Sequence, residues 1–331
     1  MDETVIELSR LTKRYGEFTA VSELDLSIRR GEIFGLLGPN GAGKTTTILM
    51  MLGLAEPTSG QATVCGIDAT RNPIEVKRRV GYMPDDIGFY EDRTGLDNLM
   101  YTAMLNRVPE AEARRRATEL LDKVGLGAAA GKKTGAYSRG MRQRLGLADV
   151  LIKRPEVVIL DEPTLGIDPE GVRELLALIR ELSRDEGLTV LLSSHHLHQV
   201  QQICDRVGLF VGGRLIASGD LAALSQLLDG SSSYAVELDV GGWSEGVESA
   251  LRGLERVTAV DLQETDALSA ADRSDGFVTV RVTGTDDIAA ELAAAVVGSG
   301  ASLLGLRPLR YGLDEIYHRY FEGGNPVGQL H

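Results

Sequence analysis

Gly38-Pro39-Asn40-Gly41-Ala42-Gly43-Lys44-Thr45 is the stretch on which the fold turns. It fits the pattern G-x-x-x-x-G-K-[ST] and stands between a predicted strand, Glu32 to Leu37, and a predicted helix, Lys44 to Leu54, the setting a phosphate-cradling loop requires. The glycines let backbone N–H groups turn inward around the β- and γ-phosphates, while the helix N-terminus adds the positive end of its dipole. Lys44 supplies a point charge, Thr45 offers a hydroxyl to Mg²⁺, and Thr46 completes the candidate phosphate-binding set.

A second signal lies at Val157-Val158-Ile159-Leu160-Asp161-Glu162-Pro163. A buried strand over Glu156 to Leu160 delivers two carboxylates at its C-terminal edge, where ligands of open α/β sheets bind. Asp161 is placed to hold Mg²⁺, directly or through water, and Glu162 to polarise the water that attacks a γ-phosphate. A third strand is expected at Leu188 to Ser193. Short β-branched runs alternate with helical stretches over the first ~225 residues, the pattern of a mixed or parallel sheet covered by helices. Between the strands lies an all-helical insertion: Leu96 to Asn106, then Pro109 to Val124 with proline in its first turn, then a helix from near Gly140 toward Ile152.

The bulk composition agrees with a soluble globular protein. Of 331 residues, 43% are hydrophobic and 25% charged, and 48 acidic against 35 basic side chains leave a net charge of −13. Non-specific binding to nucleic acid needs surplus cations to displace counterions from phosphate, so no nucleic-acid partner is expected. Cys65 and Cys204 show no metal-knuckle or disulfide spacing, which fits a reducing cytosol. The acidic start argues against a secretory signal, and no apolar run approaches the ~20 residues of a membrane span.

Tyr137-Ser138-Arg139-Gly140-Met141-Arg142-Gln143-Arg144 stands at the start of the third inserted helix and resembles the signature motif of ATP-binding cassette (ABC) transporters. Together with the cradle and the paired acids, it makes residues from Ile6 to about Asp220 resemble the nucleotide-binding subunit of such a transporter. A serine hydroxyl, free amides and a helix tip form a second anion site of their own. The resemblance implies more. Ser138 and Gly140 face the γ-phosphate held by a partner subunit's cradle, and two ATP are sandwiched in a head-to-tail dimer. Tyr15 stacks on adenine, Asp168 belongs to the loop linking the two active sites, and His195 contacts the γ-phosphate. His196 and His198 are read as surface residues, because adjacent positions do not converge on one metal.

Two positions depart from the family pattern. Asp85, in Gly81-Tyr82-Met83-Pro84-Asp85-Asp86, replaces the usual glutamine; a carboxylate can hold Mg²⁺ but cannot donate a hydrogen bond. Arg139 and Met141 replace the commonest glycine and glutamine of the signature.

The expected fold is therefore a P-loop ABC cassette, with a mixed sheet and helical subdomain over 1–228 (helical part about 86–152) and a small α+β domain over 231–331. The latter reads β-α-β-β-α-β, at Tyr234 to Val240, Ser244 to Leu254, Val257 to Leu262, Phe277 to Val282, Asp286 to Val297 and Ala301 to Leu306, the ferredoxin-like order. A break at Asp229 to Ser233 precedes it, and a last helix over Asp314 to Phe321 is expected to close it. It resembles the accessory segment of drug- and polymer-export ATPases. The implied partners are an integral membrane permease and a second copy of the chain or a related ATPase subunit, with the subunit held at the inner face of the membrane. A soluble ABC ATPase acting on nucleic acid or ribosomes is the alternative, disfavoured by a single cassette and the acidic balance. A switch GTPase is disfavoured by the lack of Asn-Lys-x-Asp.

Overall fold

The computed structural model describes residues 3–220, 224, 234–262, 277–285 and 287–309. They fall into two compact units on either side of residues 221 and 222. In chain order, the first unit contains β1 (Thr4–Tyr15), β2 (Phe18–Arg29), β3 (Ile33–Leu37), α1 (Lys44–Met51), β4 (Ser59–Val64), β5 (Ile67–Asp68), α2 (Pro73–Arg79), β6 (Val80–Met83), α3 (Gly95–Leu105), α4 (Glu110–Lys123), α5 (Arg139–Leu151), β7 (Val157–Asp161), α6 (Pro169–Glu186), β8 (Thr189–Ser194), α7 (Leu197–Ile203), β9 (Arg206–Val211) and β10 (Arg214–Gly219).

Every residue of β3, β7 and β8 is buried, as strands covered on both faces must be. They sit at the centre of a six-stranded sheet ordered β10-β9-β3-β8-β7-β6, with all pairs parallel except the edge hairpin β9–β10. The register sets Leu37 beside Ser194 and Asp161 beside Ser193, so the chemistry-bearing ends of three strands lie side by side. A second, antiparallel sheet, β2-β1-β4-β5, was not legible from alternation. Its pairing slips between Leu8 and Leu11 and again near Lys13, and Arg10 takes a left-handed φ of 43°, so apolar residues lose the two-residue period. One core joins both sheets and α1: Ile6, Val21 and Ile28 meet Phe34, Leu36, Ile48, Met51 and Phe210.

The three inserted helices have a core of their own, built on Leu99, Ala103, Ala117, Leu121, Tyr137, Leu145 and Ile152. A capping box starts α3: Thr94 Oγ1 accepts from the Asp97 amide at 3.0 Å, and the Asp97 carboxylate accepts from the Thr94 amide at 3.2 Å. Pro109 is not in the first turn of α4 but is the residue that caps it, because its ψ of 139° is still extended.

The second unit consists of β11 (Tyr234–Gly241), α8 (Glu245–Arg252), β12 (Val257–Leu262), β13 (Phe277–Gly284), α9 (Ala289–Gly298) and β14 (Ser302–Leu309). Its sheet is antiparallel throughout, ordered β12-β13-β11-β14, with the split connectivity of ferredoxin-like folds. Val236, Leu238, Val240, Val280 and Val282 meet Val247, Leu251, Leu292 and Val296 from the helices. The expected break at Asp229 to Ser233 and the closing helix at Asp314 to Phe321 lie outside the described residues.

Candidate functional site

β3 ends at Leu37 and the chain turns into α1 at Lys44, with Gly43 as the turning residue. Gly43 has φ 106°, and a Cβ there would stand 2.4 Å from the Ala20 carbonyl oxygen, so no other residue fits. Within α1 the first amide with an internal acceptor is that of Thr47, which donates to Gly43 O at 2.9 Å. The amides of Lys44, Thr45 and Thr46 have none inside the helix and are available to an anion at its positive end. Lys44 is only 6% exposed. Its Nζ donates to Gly38 O at 2.6 Å and Pro39 O at 3.2 Å, and lies 3.3 Å from Glu162 Oε1. The loop thus holds a buried cation pointed at the place where phosphates would lie, and the cradle fits a triphosphate.

The two carboxylates do different things because their surroundings differ. Asp161 is 2% exposed and accepts hydrogen bonds from Thr45 Oγ1 at 2.9 Å and from Ser193 Oγ. Burial raises its affinity for protons; the hydrogen bonds oppose this, and the charges of Glu162 and Asp85 add to it. A hard divalent cation beside this hydroxyl–carboxylate pair would relieve the burial cost, so the donor set fits Mg²⁺. Glu162 takes a left-handed φ of 48°, rare for a residue with a side chain. Its amide, which donates to Ser193 at 3.2 Å, helps fix this turn, so that Oε1 faces Lys44 and Oε2 lies 2.9 Å from His195 Nδ1. A carboxylate held between a lysine and a histidine is an oriented proton acceptor.

Around this centre runs a cleft of about 510 Å³, lined by Asn40, Gly41, Ala42, Thr46, Asp85, Leu165 and His195 as well as the residues above. Tyr15 and Phe18 form its outer rim, 53% and 64% exposed, and the Lys13 ammonium lies 5.0 Å from the Tyr15 ring centre. Asp85 lines the same cleft. Its charge acts on Asp161, and among the described residues no three His, Cys, Asp or Glu side chains converge as metal ligands. His196 and His198 are exposed, as expected.

Phe18, Leu165 and Ser193 were missed by sequence reasoning. For Phe18 the available signal was an aromatic on each side of the Gly16-Glu17 turn; for Ser193 it was only the register of two strands 32 residues apart. Ser138, Gly140 and Asp168 are not brought to this cleft. They line a separate pocket with Lys132, Arg144 and Glu174. There Ser138 caps α5, its Oγ accepting from the Met141 amide at 3.3 Å, and Asp168 caps α6, accepting from the Gly171 amide at 3.3 Å.

This cradle, on a mainly parallel sheet with paired acids at the adjacent strand end, defines a P-loop nucleoside triphosphatase. The profile of the ABC transporter family matches residues 21–165. The chain is 36% identical over 262 residues to the linearmycin resistance ATP-binding protein LnrL of Bacillus subtilis (strain 168), spanning 79% of this chain and 83% of that protein. To the bacitracin transport ATP-binding protein BcrA of Bacillus licheniformis it is 42% identical over 213 residues, 64% of this chain and 69% of that one. A solved dimeric structure of a bacterial ABC transporter cassette superposes with a TM-score of 0.60 at 25% identity, covering 65% of this chain and 98% of that chain. The chain belongs to the ABC transporter family, as an ATP-binding and ATP-hydrolysing subunit.

Proposed function

We propose that Glu162 is the base for ATP hydrolysis and that two such subunits close around two ATP to drive export through a separately encoded membrane permease. The observation that carries this reading is the Lys44–Glu162–His195 arrangement, at 3.3 and 2.9 Å, beside the Thr45–Asp161 pair. Lys44 and the first-turn amides bind the phosphates, Glu162 takes a proton from water, and His195 holds Glu162 and faces the γ-phosphate. Thr45 and Asp161 would hold Mg²⁺, with Asp85 as a further carboxylate of the same cleft; the ion would supply charge neutralisation at the phosphate oxygens. Tyr15 offers a platform to adenine.

Closure of two subunits is supported by the division of the anion-binding groups into two separate pockets, one at Lys44 and one at Ser138, within one chain. The partner in closure is a second copy or a related ATPase subunit. A groove on the helical subdomain, about 600 Å³ and lined by Tyr90, Arg93, Met100, Tyr101, Met104 and Arg114, supports permease docking; Met104 is 61% exposed there. Among the described residues no helix is long and apolar enough to cross a membrane, which agrees with attachment to the inner face through the permease. The named relatives, one for linearmycin resistance and one for bacitracin transport, support an antibiotic as cargo. Residues 231–331 act as a regulatory or dimer-supporting domain.

Glu162→Gln tests the central assignment. It is expected to bind ATP, to remain as an ATP-bound dimer in size-exclusion chromatography, and to lose most turnover. Hydrolysis at the parental rate would overturn the assignment of the base.

A further inference from the structure

Arg139 has no part in the functions assigned so far, yet it links the two anion-binding regions of the chain. It is the first residue of α5, immediately after Ser138, and its side chain leaves the pocket that Ser138 and Gly140 line. Arg139 Nε donates to the Leu165 carbonyl oxygen at 2.5 Å. Leu165 lines the nucleotide cleft, and its amide donates to the Glu162 carbonyl at 3.1 Å. An unbroken run of hydrogen bonds and chain therefore joins Ser138 to Glu162 within one subunit.

The next residue is shaped to admit this contact. Gly166 has φ 71°, and a Cβ there would stand 2.7 Å from Arg139 Nε and 2.9 Å from its Cδ. The guanidinium stem lies in the space that any other residue at 166 would fill. A little further along the loop, Ile167 Cγ2 lies 3.5 Å from where a Cβ on Gly140 would be, so the loop from Glu162 to Asp168 touches the α5 tip in two places. Arginine suits this role because its planar guanidinium fixes a directional Nε–H.

We infer that Arg139 is a positioning residue: it ties the tip of α5 to the Glu162–Asp168 loop, so that engagement of a phosphate at Ser138 sets the orientation of Glu162 in the same subunit. The inference rests on the reading of Glu162 as the base. It goes beyond that reading by assigning the communication between the two pockets to a side chain that departs from the family signature.

The test is a double-mutant cycle on the full chain, with ATP turnover, binding of a fluorescent ATP analogue and melting temperature measured for each variant. Arg139→Ala is expected to lower kcat about tenfold, the effect of one lost charge-assisted hydrogen bond in the orienting path, with KM and analogue binding unchanged. Arg139→Lys, whose ammonium can also reach a carbonyl, is expected to recover part of the rate. Gly166→Ala is expected to cost less turnover in the Arg139→Ala background than in the parental chain, because the clash it creates has then been removed. Where Arg139→Ala does not fold, Arg139→Ser, which likewise has neither Cδ nor Nε, takes its place in the cycle with the same expected outcomes. Parental kcat in a folded Arg139→Ala chain, or equal costs of Gly166→Ala in both backgrounds, would overturn the proposal. Neither result touches the assignment of Glu162, which its own glutamine variant decides.

Discussion

The tips of α1 and α5 both present free amides at the positive end of a helix, but they are furnished differently. The α1 tip is set into the core: Lys44 is 6% exposed and bonded to the loop carbonyls, and two acidic side chains with fixed partners stand beside it. The α5 tip is exposed, capped by a serine at 3.3 Å, and the cation beside it, Arg144, is paired with Glu174. A helix dipole alone gives weak, screened attraction to an anion; burial and converging charge make it a binding site. The α1 tip is thus a site that one chain can complete. In the closed dimer proposed above, the α5 tip is half of one, and the nucleotide of another subunit is its remaining half.

Four variants break or sharpen this contrast, given from the largest expected effect to the smallest. Glu162→Gln, beside the α1 tip, should lower kcat by on the order of 10³ while ATP binding persists, since it removes a proton acceptor and leaves the phosphate anchors. Lys44→Ala should weaken ATP binding itself by roughly 10- to 100-fold, read by equilibrium titration, because a charge-assisted contact to phosphate is lost. Equal effects of this change and of Ser138→Ala on single-chain binding would erase the distinction between the tips.

The third variant concerns the far end of α5. Burial lifts the Asp149 carboxyl from 3.8 to about 6, against a hydrogen bond from Thr102 and the charge of Lys153, and one of its oxygens has no hydrogen-bond partner. A carboxyl that holds its proton more tightly when folded favours folding at low pH. That contribution is full below the unfolded value near 4 and is lost as pH rises through about 6. Asp149→Asn should therefore raise the melting temperature at pH 8, by on the order of 2 kcal/mol of stability, and give no gain at pH 4. A gain that is the same at both pH values would show that the carboxyl is not held by burial. Last, Ser138→Ala should cost about 1 kcal/mol of stability through the lost cap. It should leave ATP binding to the single chain unchanged and reduce ATP-driven dimer formation in size-exclusion chromatography.

The cradle was readable because it is local. Eight consecutive residues carry the turn, the cation and the hydroxyl, and no distant contact is needed to place them. The same holds for strands buried on both faces, whose apolar runs were placed within a residue or two, and for the β-α-β-β-α-β order of the second unit. The antiparallel sheet of β1, β2, β4 and β5 was not readable, since bulges at Arg10 and near Lys13 scramble the alternation that would announce it. Leu165 and Phe18 were missed because they enter the cleft from different parts of the chain, and Ser193, which holds Asp161 and Glu162 from the neighbouring strand, because a strand's lateral neighbour leaves no mark on its own sequence.

The amino-acid order alone thus determined the phosphate-binding loop, the paired acids at a strand end and the serine at a helix start, each a short-range pattern of residue type and spacing. Tertiary structure alone decided which of these meet: Asp161 beside Thr45 and Ser193, Glu162 between Lys44 and His195, and Ser138 in a pocket apart from them all. The reason is strand register and helix packing. These are set by burying a core shared across hundreds of residues, so they fix distances between side chains that no local pattern encodes.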